Sequence, residues 1–221
     1  MKLFFIAFTK LILGLLLVGL LLFVPAGSLE YLGAWLFLAL LFVPMLIMSM
    51  VLLIKAPDLL EKRLKYKEKE KAQKGVIAFS GLMFPAGFVL SALDFRFGWS
   101  AVPTWAVVTA SVLFLIGYAM FGEVLRENAY LSRTVEVQEG QTVISTGLYG
   151  MVRHPMYLAT LFMFLPLSLI LGSFWGLIPF ALYPVLMVIR IRNEEAVLTE
   201  GLAGYAEYRT KVKYRLIPLI W

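Results

Sequence analysis

Residues 147–171 read GLYGMVRHPMYLATLFMFLPLSLIL, a polar cluster set directly against an apolar run that starts at Leu158 and ends at Leu171. The cluster holds Arg153 and His154, the single histidine of the 221-residue chain, flanked by Tyr149 and Tyr157. Ionisable groups placed at the edge of hydrocarbon are costly unless they are paired or put to use. The junction therefore marks a membrane boundary and a candidate site together.

Composition agrees with the first half of that statement. The chain is 61% hydrophobic and 15% charged, against about 25% charged residues in an average soluble domain. Several runs approach the roughly 20 apolar residues that a helix needs to cross a bilayer. Leu3 to Val24, Leu29 to Ile54, Gly75 to Leu93 and Ala101 to Phe121 are expected to be spanning helices. Leu158 to Leu171 and Phe174 to Ile189 form a shorter hairpin around Gly172 and Ser173. The expectation is an all-α, polytopic helical bundle of about six transmembrane helices. Lys2 and Lys10 ahead of the first run raise the alternative of a cleaved signal peptide, but no small-x-small cleavage site follows cleanly, so a retained helix is expected.

Absences narrow the chemistry. With no cysteine, disulfides, thiolate nucleophiles and cysteine metal sites are excluded, and one histidine excludes a multi-histidine centre. No bound metal is expected. The net charge of +6 is concentrated between Lys55 and Lys74, a lysine and glutamate run read as a loop or amphipathic helix against anionic lipid headgroups. Tyr66 alone is too little aromatic interleaving for nucleic acid. A cytoplasmic N-terminus leaves Arg96 as the only basic residue outside, so both termini and the 123–157 segment are expected on the cytoplasmic face.

That topology brings two charged groups together. Arg153 and His154 precede one arm of the hairpin; Arg190, Arg192, Glu194 and Glu195 follow the other. Arg190 and Glu194 are four apart, on one helix face. Taken singly, each is an ordinary interfacial charge whose head reaches water. Taken together they form a site.

With those residues quoted, QEGQTVISTGLYGMVRHPMY at 138–157 resembles the cofactor-binding signature of the isoprenylcysteine carboxyl methyltransferase family. The flanking ENAYLS at 127–132 and NEEAVLTEGLAGYAEYRTKVKYRLIP at 193–218 fit the same pattern. The resemblance covers about residues 122–221 and divides the chain into helices 1–4 with the basic loop (1–121) and a catalytic region (122–221). It implies a membrane enzyme using S-adenosyl-L-methionine, a prokaryotic-type member of an inner membrane with its site on the cytoplasmic face. Gln138, Gln141, Thr142, Val143, Ile144, Tyr149, His154, Pro155, Met156 and Tyr157 match cofactor-contacting positions. Gln141 stands where histidine is common in that family. Glu194, or Glu195 in the neighbouring register, matches the acidic residue holding the cofactor. Arg190 matches a substrate-side arginine; Arg153 is a second residue able to orient a carboxylate by paired donors, and Glu195 or Tyr157 are base candidates should the acceptor carry a proton.

The acceptor implied is lipophilic and reaches the site from the bilayer, with the carboxylate of a prenylated cysteine as the archetype. Phospholipid amines and small thiols are alternatives. Two readings from other classes stand beside it: an NADPH-dependent membrane reductase of the sterol-reductase type, and a non-catalytic scaffold recruiting partners through the basic loop.

Overall fold

The structure, a computed structural model, describes residues 2–64, 71–132 and 134–221, with the backbone alone at 71 and 72. It is 73% helix, and the described residues contain no strand. Among the described residues, four helices are long and apolar enough to cross a membrane: α1 (Lys2–Ala26), α2 (Leu32–Lys55), α4 (Lys71–Phe97) and α5 (Thr104–Glu127). A short α3 (Pro57–Leu64) lies between α2 and α4. Helix is the only open-chain form that pairs every backbone N–H and C=O within its own segment, as hydrocarbon demands. Leu13, Leu16, Leu17 and Leu20 of α1 remain more than half exposed, the outward face of a helix bathed in lipid rather than water.

The expected hairpin is present but is not two continuous helices. It comprises α6 (Pro155–Phe164), α7 (Leu167–Ile170), α8 (Leu177–Phe180) and α9 (Tyr183–Gly201). Pro166 sits at the α6–α7 break, and Pro179 and Pro184 flank the α8–α9 break; each lacks the N–H that would carry a helix through. Two glycines let the hairpin approach its neighbours. A Cβ at Gly117 of α5 would lie 2.7 Å from the Ala159 carbonyl of α6, and one at Gly87 of α4 would meet the Phe180 ring.

Both ends of the hairpin are fastened to α4. At its tip, the Ser173 hydroxyl donates to the Asp94 carboxylate at 2.5 Å, and Ser100 donates to the same group through its backbone N–H (2.7 Å) and its hydroxyl (2.6 Å). The Tyr31 hydroxyl donates to the Leu171 carbonyl at 2.6 Å, adding α2 to the knot. Asp94, one residue past the expected end of the Gly75–Leu93 helix, is therefore a buried member of the last turn of α4. At the hairpin's base, Gln73 and Arg190 exchange hydrogen bonds. The two fastenings are 21 helical residues apart, about 30 Å at 1.5 Å per residue, the thickness of a hydrocarbon core. Exposed Trp35, Trp99, Trp105 and Trp175 gather at the Asp94 end, as aromatics do at a membrane–water interface.

The boundary drawn at 121/122 falls inside α5, which runs unbroken to Glu127. Of the basic run, α3 is helical and packs Leu59 and Leu60 inward, while 65–70 lie outside the described residues, as does Arg133.

Candidate functional site

The site is assembled by a single crossing of the chain back over itself. His154, just ahead of the helix, has a non-helical backbone (φ −125°, ψ 62°), as the α-disfavouring clash with a following proline requires, and Pro155 opens α6 at the position where a missing N–H costs nothing. The backbone N–H groups of Arg153 and His154 donate to the carbonyls of Tyr214 and Arg215, each at 2.9 Å. This bond pair docks the C-terminal tail beside the start of α6. The imidazole makes no capping bond; it turns to the far arm of the hairpin instead.

There the charges converge. Glu195, 4% exposed, accepts from Arg153 Nε at 2.6 Å and from Arg215 Nε at 2.7 Å, with His154 Nε2 at 3.4 Å. Arg153 also donates through one terminal nitrogen to the Val212 and Lys213 carbonyls at 2.8 and 2.9 Å. Burial works against a charge on Glu195, yet the hydrogen bonds from His154, Arg215 and Arg153 outweigh it and hold the carboxyl well below its usual range. Glu195 is an anion that ties α9 to the tail through Arg153 and Arg215.

One residue earlier the geometry is different. Glu194 keeps a quarter of its side chain exposed and accepts a hydrogen bond from the Tyr157 hydroxyl. That hydroxyl in turn accepts from Arg190 Nε at 2.8 Å. Arg190 also donates to Gln73 Oε1 at 2.9 Å, while the Gln73 amide donates back to the Arg190 carbonyl at 3.2 Å. The result is a chain Gln73–Arg190–Tyr157–Glu194 running from the first half of the protein to the cleft. The i, i+4 placement of Arg190 and Glu194 puts both against Tyr157, as their shared helix face requires.

The cleft itself encloses about 840 Å³ outside the protein atoms, part of it open to solvent. Of the residues singled out from the sequence, all but Gln138, Arg192 and Glu195 line it. Gln138 lies behind the wall: its amide donates to the Tyr130 carbonyl at 2.5 Å, its side-chain oxygen accepts from Lys62 of α3 at 2.9 Å, and its N–H donates to Gln141 Oε1 at 2.9 Å. These bonds shape an irregular segment that the cleft needs. The short 3-10 turn Gly147–Gly150 begins in the left-handed region at Gly147 (φ 48°), where a Cβ would also collide with Glu127. Tyr149 is thereby set into the wall, its hydroxyl accepting from Asn128 at 2.8 Å. Burial pushes the Tyr149 phenol well up, with the Asn128 bond only partly opposing it, so it stays neutral.

Participants not singled out individually include Gln73, Asn128, Tyr205, Tyr208 and Arg215. Gln73 is fully buried yet sits among lysines in a stretch that reads as solvated, so its sequence carried no signal. Tyr205 and Tyr208 lie in the quoted downstream stretch, three apart on the short α10 (Tyr205–Lys211), where that spacing places both on one face.

These features define a helical membrane protein with a polar cleft where charged groups leave the bundle. Residues 104–203 match the family model for phospholipid methyltransferases, and every residue lining the cleft except Tyr205 and Tyr208 falls inside the match. The match is to this broader family rather than to the isoprenylcysteine carboxyl methyltransferases in particular. The chain is also similar to Delta(14)-sterol reductase TM7SF2 of Mus musculus, 35% identical over 92 residues that cover 40% of this chain and 22% of that protein. A second relative is Delta(14)-sterol reductase of Methylotuvimicrobium alcaliphilum, 25% identical over 139 residues, or 54% of this chain and 32% of the other. The chain thus spans a third or less of the length of these curated relatives.

Proposed function

We propose that the protein is a membrane methyltransferase that uses S-adenosyl-L-methionine and a lipophilic acceptor delivered from the bilayer. The observation carrying this reading is the Gln73–Arg190–Tyr157–Glu194 chain. It joins a partly exposed carboxylate in a polar cleft to a buried-side arginine at the membrane edge, within the stretch matched to phospholipid methyltransferases. When bound, the cofactor supplies a methyl group on a cationic sulfur.

The residues present suit such a group. Glu194 offers an anionic acceptor for ammonium or hydroxyl donors, and the faces of Tyr149 and Tyr157 suit a cation. Five tyrosines line the cleft, and the hydroxyl of one of them, Tyr205, has no hydrogen-bond partner among the described residues. We assign Glu194 to cofactor holding and Arg190 to orienting the acceptor. The catalytic assignments of Arg153 and Glu195 recede in this reading, because both serve the tail. Transfer to a carboxylate needs orientation and no base. For a phospholipid amine the departing proton passes to the Tyr157 hydroxyl as Tyr157 gives its own to Glu194, a route for which Glu195 is too strongly held as an anion. We further propose six membrane crossings with the cleft on the cytoplasmic side, and α3 with the adjoining basic run against anionic headgroups.

The second reading, an NADPH-dependent reductase, is favoured by the two sterol reductase relatives. Titration calorimetry on detergent-purified protein separates them. We expect saturable binding of S-adenosylmethionine, weakened at least tenfold by Glu194→Gln. NADPH quenching of tryptophan emission with no heat from S-adenosylmethionine would reverse the order.

A further inference from the structure

The five tyrosines of the cleft differ in one respect that neither the family match nor the resemblance addresses. Tyr157 donates to Glu194, Tyr208 donates to the Tyr149 carbonyl at 2.7 Å, Tyr130 donates to the Gly140 carbonyl at 2.8 Å, and Tyr149 accepts from Asn128. Tyr205 is 4% exposed, lines the cleft, and has no hydrogen-bond partner for its hydroxyl among the described residues. Leaving a buried hydroxyl without a partner costs stability, so such a group is uncommon unless something else uses it.

We propose that the Tyr205 hydroxyl is a recognition donor for the ligand of this cleft, hydrogen-bonding an acceptor atom on the adenosine portion common to S-adenosylmethionine and NADPH. This rests on the cleft being a cofactor site, as proposed above, but not on which of the two cofactors fills it. Burial first, and then the nearby Glu195 and Glu194 carboxylates, push the Tyr205 phenol up, so it keeps its proton and acts as a donor. Its ring is held in place independently of any ligand. Tyr205 packs at 5.7 Å from Tyr208 in a small apolar cluster with Leu202 and Val212, so the hydroxyl is presented by a fixed side chain. Adenine ring nitrogens and ribose oxygens are neutral acceptors, the kind that a neutral phenol discriminates well from an analogue lacking them.

A structural hydroxyl and a ligand-reading hydroxyl predict opposite signs when it is deleted. Tyr205→Phe removes the oxygen and keeps the ring. We expect it to weaken binding of S-adenosylmethionine, or of NADPH if that is the ligand bound by the parent protein, by roughly fivefold, the size of one neutral hydrogen bond. The ligand-free melting temperature should stay level or rise. Tyr208→Phe, which removes a bond made to the protein itself, should instead lower it.

Calorimetry with S-adenosylmethionine, NADPH and free adenosine, together with thermal melts of the ligand-free proteins, reads all of this. Unchanged affinity in Tyr205→Phe, or affinity and melting temperature falling together, overturns the assignment. Tyr205→Met repeats the comparison if the phenylalanine variant is misfolded, and failure of both to fold also overturns it. Binding of none of the three compounds by the parent protein overturns the cofactor reading itself, a separate result.

Discussion

Adjacent glutamates with unlike surroundings divide the labour at the site. Glu195 is enclosed by Arg153, Arg215 and His154, while Glu194 faces the cleft and Tyr157. Removing one member of a buried ion pair strands the other, at a cost of about 3–5 kcal/mol. We therefore expect Arg153→Met to lower the melting temperature sharply and loosen the C-terminal tail, seen as new protease cleavage after residue 201. Arg190→Ala, which also strips a partner from buried Gln73, should reduce turnover far more than cofactor affinity; equal loss of both would contradict its place beside the acceptor. The family resemblance implies a role for a glutamate at 194 or 195, but two neighbouring acids have no distinguishing mark until the helix is oriented.

Acid stability belongs to the same pair. The Glu195 carboxyl is held below the ordinary glutamate value of about 4.3. A group depressed in the folded state contributes stability above its unfolded value, and that contribution drains away as pH falls further. We expect a melting temperature that is level above about pH 5 and drops below about pH 4. Glu195→Gln should start lower and show a shallower drop.

At the scale of elements, the apolar runs were legible because a membrane helix must satisfy its backbone internally and show apolar side chains all round. The runs at Leu3, Leu29, Gly75 and Ala101 all became long helices, with ends displaced by a few residues. What could not be read was polar burial at their ends. Gln73 and Asp94 are both buried, yet each lies where the chain turns hydrophilic. The broken helices of the hairpin were foreshadowed by Pro166, Pro179 and Pro184, although their number fixes neither the breaks nor the turn. Gly117→Leu should drive α5 and α6 apart and cost several degrees of melting temperature, since the added side chain would meet the Ala159 carbonyl and Met163. Gly75→Leu, where none of the described atoms lies within 4 Å, should cost little, its gain in helix propensity acting in its favour.

For the molecule as a whole, the absence of cysteine makes orientation directly measurable. Single cysteines at Ala101, by the tryptophan-rich end, and at Glu207, by the cleft, should be labelled by an impermeant maleimide from opposite sides of a sealed vesicle. Labelling of both from one side would end the six-crossing topology. The cleft was largely legible because its wall is built from two short stretches with strong local motifs, 128–157 and 190–208, brought together by the hairpin between them. Its support from Gln73 was not, because a single long-range partnership between separate helices leaves no pattern along the chain.

The paired fastenings on α4 have a mechanical meaning. Pinned to the hairpin at Asp94 and again at Gln73, α4 behaves as one chord of a truss whose other chord is broken three times, into α6, α7, α8 and α9. Two chords joined at both ends cannot slide past one another. A bilayer thinner or thicker than the protein must then be met by tilting the pair as a unit, and the guanidinium of Arg190 keeps its station against Tyr157 whatever membrane surrounds it.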